Sequence, residues 1–387
     1  MRKPAVFILI LLASLSAQIA SFKPGQAWLD VDGKSINAHG GGILYDKGTY
    51  YWFGERRVKN ASGGVNVYSS ADLYNWKLRG IAFAQDSAVP DIKPGGIMER
   101  PKVIYNPSTR KYVMWLHLEL PGKGYDSARV GIAQSDSVIG PYHFVSDFRP
   151  NGNMSRDQTV FMDDDGKPYH FYSSRDNYDM RIHAMTADFL QATTADQIII
   201  NNGHREAPAV FKYKGRYQIM TSDATGWTPN AATIHTATTI TGPWTLRNNP
   251  CVGTSAEVSS TFQSQSAFIL PVPGYANAFI YIGDRWISTN VETSTYIWLP
   301  ITFKGNSDTA VIAWSAEWTI QGAFGTPTFI NVKQNVSRKA DLEILSLGQG
   351  KIILTGSDRL RDLTGRAGLT VLPAGNRPSS TSAPHAR

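Results

Sequence analysis

The chain has 387 residues, 42% hydrophobic and 18% charged, which fits a globular protein with a full-sized core. Its formal charge of +7 is modest for this length and shows no long basic run, so it reads as a solubility feature and nucleic acid is not an expected partner. A single cysteine, Cys251, excludes an intramolecular disulfide and reads as a small core filler, since no local pattern activates it.

At the N-terminus, Arg2 and Lys3 precede the apolar run Ala5–Leu12, followed by small residues through Ala17 and Ala20. A charged start, a short apolar stretch and a cleavage zone predict a signal peptide over residues 1–20. The expected protein is therefore secreted or periplasmic, with no membrane attachment after cleavage.

A unit then recurs along the chain. Gly42–Tyr45 turns at Asp46-Lys47-Gly48 into Thr49–Trp52, and Pro101–Tyr105 turns at Asn106-Pro107-Ser108 into Lys111–Trp115. Gln158–Met162 turns at Asp164-Asp165-Gly166 into Pro168–Tyr172, and Pro208–Lys212 turns at Lys214-Gly215 into Arg216–Met220. Ser266–Leu270 leads through a longer loop to Ala276–Ile282. Short β-rich runs around Asp-Gly or Lys-Gly predict hairpins. Echoes such as Ser70–Trp76, Ser135–Tyr142 and Ala237–Trp244 close several units after a third strand. A period of roughly 50–60 residues, repeated over about 25–325, predicts an all-β, five-bladed β-propeller within residues 21–329. A β-sandwich offers no reason for such a repeat.

Residues 330–387 are too few to expect a large independent core. Asp341–Leu345 and Lys351–Leu354 read as candidate strands, and Asn376–Pro384 has the composition of a disordered tail. No role is assigned to them.

The first strand of each propeller blade lines the central channel. The residues that open these strands are His39, Glu99 with Arg100, Asp157, Glu206 and Gln265. Carboxylates brought to one axis repel, so at least one should keep its proton near neutral pH, as a general acid requires. Trp115, Trp227, Trp286 and Trp298, with Tyr125 and Tyr178, lie at or near strand ends and suit the flat faces of sugar rings. Asp284-Arg285-Trp286 is the best candidate for a site wall. Phosphate loops, metal-spaced histidines, cysteine clusters and seryl hydrolase signatures are absent from the sequence. Asp163-Asp164-Asp165-Gly166 lacks the remaining ligands of a calcium loop and reads as a hairpin turn. No cofactor or metal is expected, although the sequence leaves a calcium ion in the channel open.

Several motifs resemble glycoside hydrolase family 43, and within it the exo-β-1,3-galactanase branch. They are Ala38–Ile43, Tyr51–Glu55, Met98–Val103, Asp157–Lys167, Arg205–Pro208, Thr225–Asn230, Ser264–Ser266, Asp284–Trp286 and Tyr296–Pro300. The resemblance covers roughly residues 25–325 and implies a five-bladed propeller that hydrolyses glycosidic bonds with inversion. By resemblance, Glu206 is the general acid, and Asp157 raises its pKa and orients it. Most of the family places a base aspartate where this chain has His39-Gly40-Gly41. In the galactanase branch a glutamine, here Gln265, is thought to handle the water through its imidic tautomer. Glu99 is the rival, holding the water or binding galactose hydroxyls, and His39 is a third candidate. The glycines would leave room where the aspartate would have stood. Glu55 resembles a sugar-binding carboxylate of the branch, Tyr125, Asn177, Thr225 and Asp284 match further subsite positions, and Trp227 and Trp286 complete the expected substrate-binding set. The implied enzyme is a monomer that releases galactose from β-1,3-galactan, such as the backbone of arabinogalactan. An α-L-arabinofuranosidase or β-xylosidase is disfavoured by the missing base. A non-catalytic sugar-binding propeller is disfavoured by the joint presence of Glu206, Asp157 and Gln265.

Overall fold

The computed structural model describes residues 19–305 and 308–327, together with the backbone of two strands at 343–347 and 351–355. The expected signal segment and the expected disordered tail lie outside the described residues, apart from residues 19 and 20. By its contacts the chain divides into two units, one ending at Pro327 and one beginning at Thr328.

Among the described residues, the first unit is built of four four-stranded antiparallel sheets, each with its strands in chain order, and a fifth sheet with one added edge strand. The first sheet holds β1 (His39–Asp46), β2 (Thr49–Val58), β3 (Ala61–Ser70) and β4 (Lys77–Phe83). The second holds β5 (Ile97–Asn106), β6 (Lys111–Glu119), β7 (Arg129–Ser135) and β8 (His143–Phe148). In the third stand β9 (Gln158–Met162), β10 (Pro168–Ser174), β11 (Asp179–Ala184) and β12 (Gln197–Ile200). The fourth has β13 (Arg205–Tyr213), β14 (Arg216–Asp223), β15 (Thr233–Ala237) and β16 (Thr245–Leu246). In the fifth, β17 (Cys251–Val252) joins the outer edge in parallel, beside β18 (Gln265–Pro271), β19 (Phe279–Arg285), β20 (Thr295–Phe303) and β21 (Ala310–Ala313). Around the axis β1 touches β5, β5 touches β9, β9 touches β13, β13 touches β18, and β18 returns to β1. This is a closed five-bladed β-propeller, and closure pairs each inner edge with a neighbouring blade. The second unit contributes an antiparallel pair, β22 (Glu343–Leu347) with β23 (Lys351–Thr355).

Local chemistry explains the hairpins. Lys47 and Gly48 have φ of 48° and 85°, and Lys214 and Gly215 have 48° and 76°. Two successive positive φ values are what a two-residue hairpin turn requires, and glycine adopts them at little cost. The acidic run in the third blade is a turn too, since Gly166 N–H donates to Asp163 O at 2.9 Å. The Asp163 carboxylate accepts from Lys212 Nζ at 2.8 Å and Tyr217 OH at 2.6 Å, tying the third blade to the fourth. In the echo after β3, Asp72 caps the turn by accepting from the backbone N–H groups of Tyr74 and Asn75 at 2.9 and 2.8 Å.

The seam between the last and first blades is sealed by the chain ahead of β1. Phe22 pairs with Trp318 through both backbone bonds, and their rings stack at 4.4 Å. Trp298 sits behind them with its ring 5.0 Å from Trp52 and 5.1 Å from Trp28. Only 1% of Trp298 is exposed, and Trp115 is fully buried between the second and third blades. Both were candidates for the sugar platform, and both belong to the core. Trp115 sits at the middle of β6 and Trp298 within β20, in runs buried on both faces, so each ring packs in the core instead of facing the mouth. Cys251 is buried and free, as a core filler should be.

Trp298→Ala is expected to cost about 3–5 kcal/mol of stability. Urea unfolding should show this as a lower midpoint, while the substrate KM of the folded variant should stay at the wild-type value.

Candidate active site

The inner strands do more than line the axis. At the mouth, His39, Glu99 and Glu206 are each followed by a left-handed residue, Gly40 (φ 56°), Arg100 (φ 50°) and Ala207 (φ 55°). Strand pairing slips at the same places, between His39 and Gly42, Glu99 and Lys102, and Glu206 and Ala209. The last inner strand slips between Ser266 and Phe268. These are β-bulges, and a bulge re-aims the side chain beside it. Asp157 stands one residue ahead of β9, its carbonyl accepting from Ser173 N–H at 2.9 Å. Glu99, Asp157, Glu206 and Gln265 thereby line one cavity of about 270 Å³, together with Glu55, Tyr125, Asn177, Trp227 and Trp286.

The Glu206 carboxyl faces two side-chain amides in this cavity. Its Oε1 accepts from Gln265 Nε2 at 2.8 Å and its Oε2 from Asn177 Nδ2 at 3.0 Å. Burial, followed by the neighbouring Asp157 anion, pushes its pKa up to about 8. Asp157 Oδ2 accepts from Arg100 Nε at 2.7 Å and from Ala207 N–H at 3.0 Å. Asn177 reaches its place through three successive left-handed residues, Arg175, Asp176 and Asn177, with φ of 48°, 53° and 65°. A second such run, Thr261 to Gln263, precedes Gln265. Backbone held in sparsely populated regions of this kind recurs where side chains must be aimed.

The opposite wall is an ion cluster. Glu99 Oε1 accepts from Arg57 Nη2 at 2.7 Å and Tyr125 OH at 2.9 Å. Burial alone would raise the Glu99 pKa, but His117 and Arg57 outweigh it and hold the carboxyl well below its usual range. His117 is fully enclosed, with Nε2 2.8 Å from Glu119 Oε1 and Nδ1 3.3 Å from Glu99 Oε2. Burial opposes its charge, yet the two glutamates raise its pKa to about 9. Glu55 accepts from Arg57 Nε at 3.0 Å and from Arg100 N–H at 3.0 Å. Ligand atoms of Glu99, His117 and Asp157 come within 4.8 Å of one another, the spacing of a cation site. Arg57 and Arg100 already neutralise those carboxylates, so the donor set is that of an ion-pair network and fits a metal poorly.

Trp227 and Trp286 form the aromatic edge, with ring centroids 5.1 Å apart at 70°. Trp286 Nε1 donates to Gln265 Oε1 at 2.9 Å. Three expected residues lie elsewhere. The Thr225 hydroxyl donates to Thr228 O at 2.6 Å and accepts from Asn230 Nδ2 at 2.7 Å, bracing the loop that carries Trp227 without lining the cavity. Asp284 is buried, accepts from Gly40 N–H at 3.0 Å, and borders an adjoining cavity of about 390 Å³. Tyr178 packs against His204, with centroids 3.8 Å apart and rings tilted by 54°, outside the cavity.

The glycine run serves neighbours, not ligand. A methyl group on Gly40 would stand 2.2 Å from Glu55 Oε1, on Gly41 2.3 Å from Phe53 O, and on Gly42 2.6 Å from Lys102 Cδ. The space expected where an aspartate would have stood is thus filled by Glu55 and by the Lys102 stem. Lys102 Nζ donates to Gly40 O at 2.9 Å, and burial, then the Arg100 charge, pulls its pKa down to about 7. His39 is fully buried against Tyr296, with centroids 5.3 Å apart, so it is removed as a handler of water.

Sequence reasoning missed Arg57, Lys102, His117 and Ser222. A signal for His117 and Ser222 is the register, in which each bulged mouth residue pairs with a polar residue on the next strand. The pairs are His39 with Glu55, Glu99 with His117, Glu206 with Ser222, and Gln265 with Asp284.

His117 yields a test of the cluster. Its folded pKa of about 9 lies above the unfolded 6.5, so its stabilisation is complete below pH 6.5 and is lost as pH rises through about 9. Thermal midpoints of the wild type should fall more steeply over that window than those of His117→Gln. Parallel curves would show that the imidazole is not charged in the fold. The raised Glu206 pKa adds a decline of the same sign in both proteins.

Known proteins resemble this chain over the propeller. The family model for glycosyl hydrolases family 43 matches residues 38–269. A β-1,3-galactosidase of family 43, solved with galactodeoxynojirimycin, is 42% identical over 77% of this chain and 100% of its own, with a TM-score of 0.75. The exo-β-1,3-galactanase of Phanerochaete chrysosporium, solved with galactose, is 32% identical over 86% of this chain and 78% of its own, with a TM-score of 0.72. The exo-β-1,3-galactanase of Clostridium thermocellum is 32% identical over 86% and 72%, also with a TM-score of 0.72. A search of curated protein sequences found no match. The matched span runs from the first bulge to the strand that carries Gln265, and it makes this chain a glycoside hydrolase of family 43.

Proposed function

We propose that this chain is an exo-acting β-1,3-galactanase that releases galactose from the end of a β-1,3-galactan by an inverting mechanism. One observation carries the chemistry. A carboxyl with a pKa raised to about 8 stands in the same pit as an anionic neighbour and an amide that is hydrogen-bonded to it. Such a group is protonated at neutral pH and can deliver its proton to a glycosidic oxygen. Glu206 is then the acid, Asp157 the anion that keeps it protonated, and Tyr125, Asn177, Glu55 and Glu99 the groups that meet the sugar hydroxyls. Trp227 and Trp286 offer apolar faces at the rim. Gln265 and Glu99 both line the cavity in which the attacking water would stand, and are the two candidates for holding it.

The substrate class rests on similarity. The Phanerochaete enzyme is described with galactose and, in a variant, with β-1,3-galactotriose, at 32% identity. Export is proposed from the run Arg2–Ala20, and action as a monomer without metal from the absence of any sequence signal to the contrary.

Glu206→Gln should lower galactose release from β-1,3-galactobiose by about 10³-fold, while galactose binding stays measurable by calorimetry. Full activity would remove Glu206 as the acid. The wild-type rate should fall as pH passes about 8, because the acid form is lost there. Proton NMR of fresh product should show α-galactose first, and β-galactose first would contradict inversion.

A further inference from the structure

Arg100 belongs to the second blade, yet its guanidinium bonds end in the third and the fifth. Nε lies 2.7 Å from Asp157 Oδ2, Nη1 donates to Ser266 O at 2.8 Å, and Nη2 donates to Gln265 Oε1 at 2.7 Å. Its backbone N–H reaches the first blade at Glu55 Oε1, 3.0 Å away. Its carbonyl accepts from Gln158 Nε2 at 2.5 Å and Lys102 Nζ at 3.3 Å. The residue is buried, and its φ of 50° is costly for any side chain bearing a Cβ. Surroundings must hold it there, and they do so on every side.

The amide of Gln265 follows from this geometry. Its oxygen faces Arg100 and the Trp286 indole, groups that donate and cannot accept. Turning the amide over would set N–H against N–H. Nitrogen therefore faces Glu206 Oε1 at 2.8 Å and Ser222 Oγ at 3.1 Å, and all four bonding positions of the amide are filled. Held this way by Arg100 and Trp286, the amide of Gln265 donates to Glu206.

We propose that Arg100 is the positioning residue of the acid centre, one planar fork that holds Asp157 against Ala207 N–H and holds Gln265 with its NH₂ turned to Glu206. The inference rests on Glu206 being the acid, as proposed above. The Arg100 charge faces Asp157, Glu55 and Asp284 from the neighbouring blades, with the Glu206 carboxyl beside them and Lys102 the like charge on its own strand. Lysine is a poor replacement, because its three N–H donors radiate from one nitrogen and cannot span the contacts that the planar guanidinium makes from three.

The test uses the full chain with Arg100→Lys, Arg100→Met and Glu206→Gln, each checked for folding by thermal melts. Carboxyl titration by ¹³C NMR, with Glu206→Gln identifying the signal, reports on Glu206 without substrate. In Arg100→Met that signal should titrate at higher pH than in the wild type, since a neighbouring cation is gone, and the alkaline limb of kcat should move with it. In Arg100→Lys the titration should stay near wild type, while kcat on β-1,3-galactobiose falls about 100-fold and KM changes less than about threefold. A Glu206 titration unmoved in Arg100→Met, or kcat in Arg100→Lys within about threefold of wild type, would overturn the proposal. If Arg100→Met does not fold, the kcat of Arg100→Lys decides alone. A wild type that titrates as described but releases no galactose would sink the substrate reading, and the NMR comparison would still judge Arg100.

Discussion

Two carboxyl groups that share one buried pocket do not both ionise readily at neutral pH, and the proton goes to whichever has the weaker compensating partners. In this propeller Asp157 has a guanidinium and a backbone N–H, while Glu206 has two side-chain amides. The difference makes one an anion and the other an acid. Asp157 comes from the third blade and Glu206 from the fourth, so their encounter exists only because those two blades pack side by side. The bulges, the glycine run and the buried cations all serve that encounter.

The second wall solves the same problem in the opposite sense. Glu99 is kept charged because Arg57 and a protonated His117 stand beside it, and Glu55 and Glu119 pair with the same two cations. Burying ions is costly unless each is paired and hydrogen-bonded, and here nearly every oxygen has a named donor. The reward is rigidity and not net stability. Fixed acceptors on one side and a proton donor on the other form a pit polar enough for a sugar and stiff enough to hold it in one orientation.

Much of the fold was legible along the chain. Lys47-Gly48, Lys214-Gly215 and Asp163–Gly166 mark turns whose geometry is set within a few residues, and the alternating runs around them mark strands. Their repetition implied a ring, and the ring implied that Glu99, Asp157, Glu206 and Gln265 share its mouth. Other features were misread for one reason. Trp115 and Trp298 look like platform residues because flat aromatic faces suit sugar rings, but both fall inside strand segments that blade packing buries on both faces. His39 looks like a candidate for handling water because it begins an inner strand, but Asp284 and Tyr296, some 245 and 257 residues later, enclose it.

By itself the sequence determined the local geometry: where the chain turns, which runs extend, how often the unit recurs, and which polar residues open the inner strands. These follow from φ preferences, β-propensity and side-chain alternation, all of which act over a few residues. Tertiary structure alone decided which carboxyl keeps its proton, which arginine neutralises which glutamate, and whose side chain takes the space above Gly40 and Gly42. Those outcomes depend on charges and volumes meeting across blades, and Coulomb energy and packing are set by distance in space, which no spacing along a chain encodes.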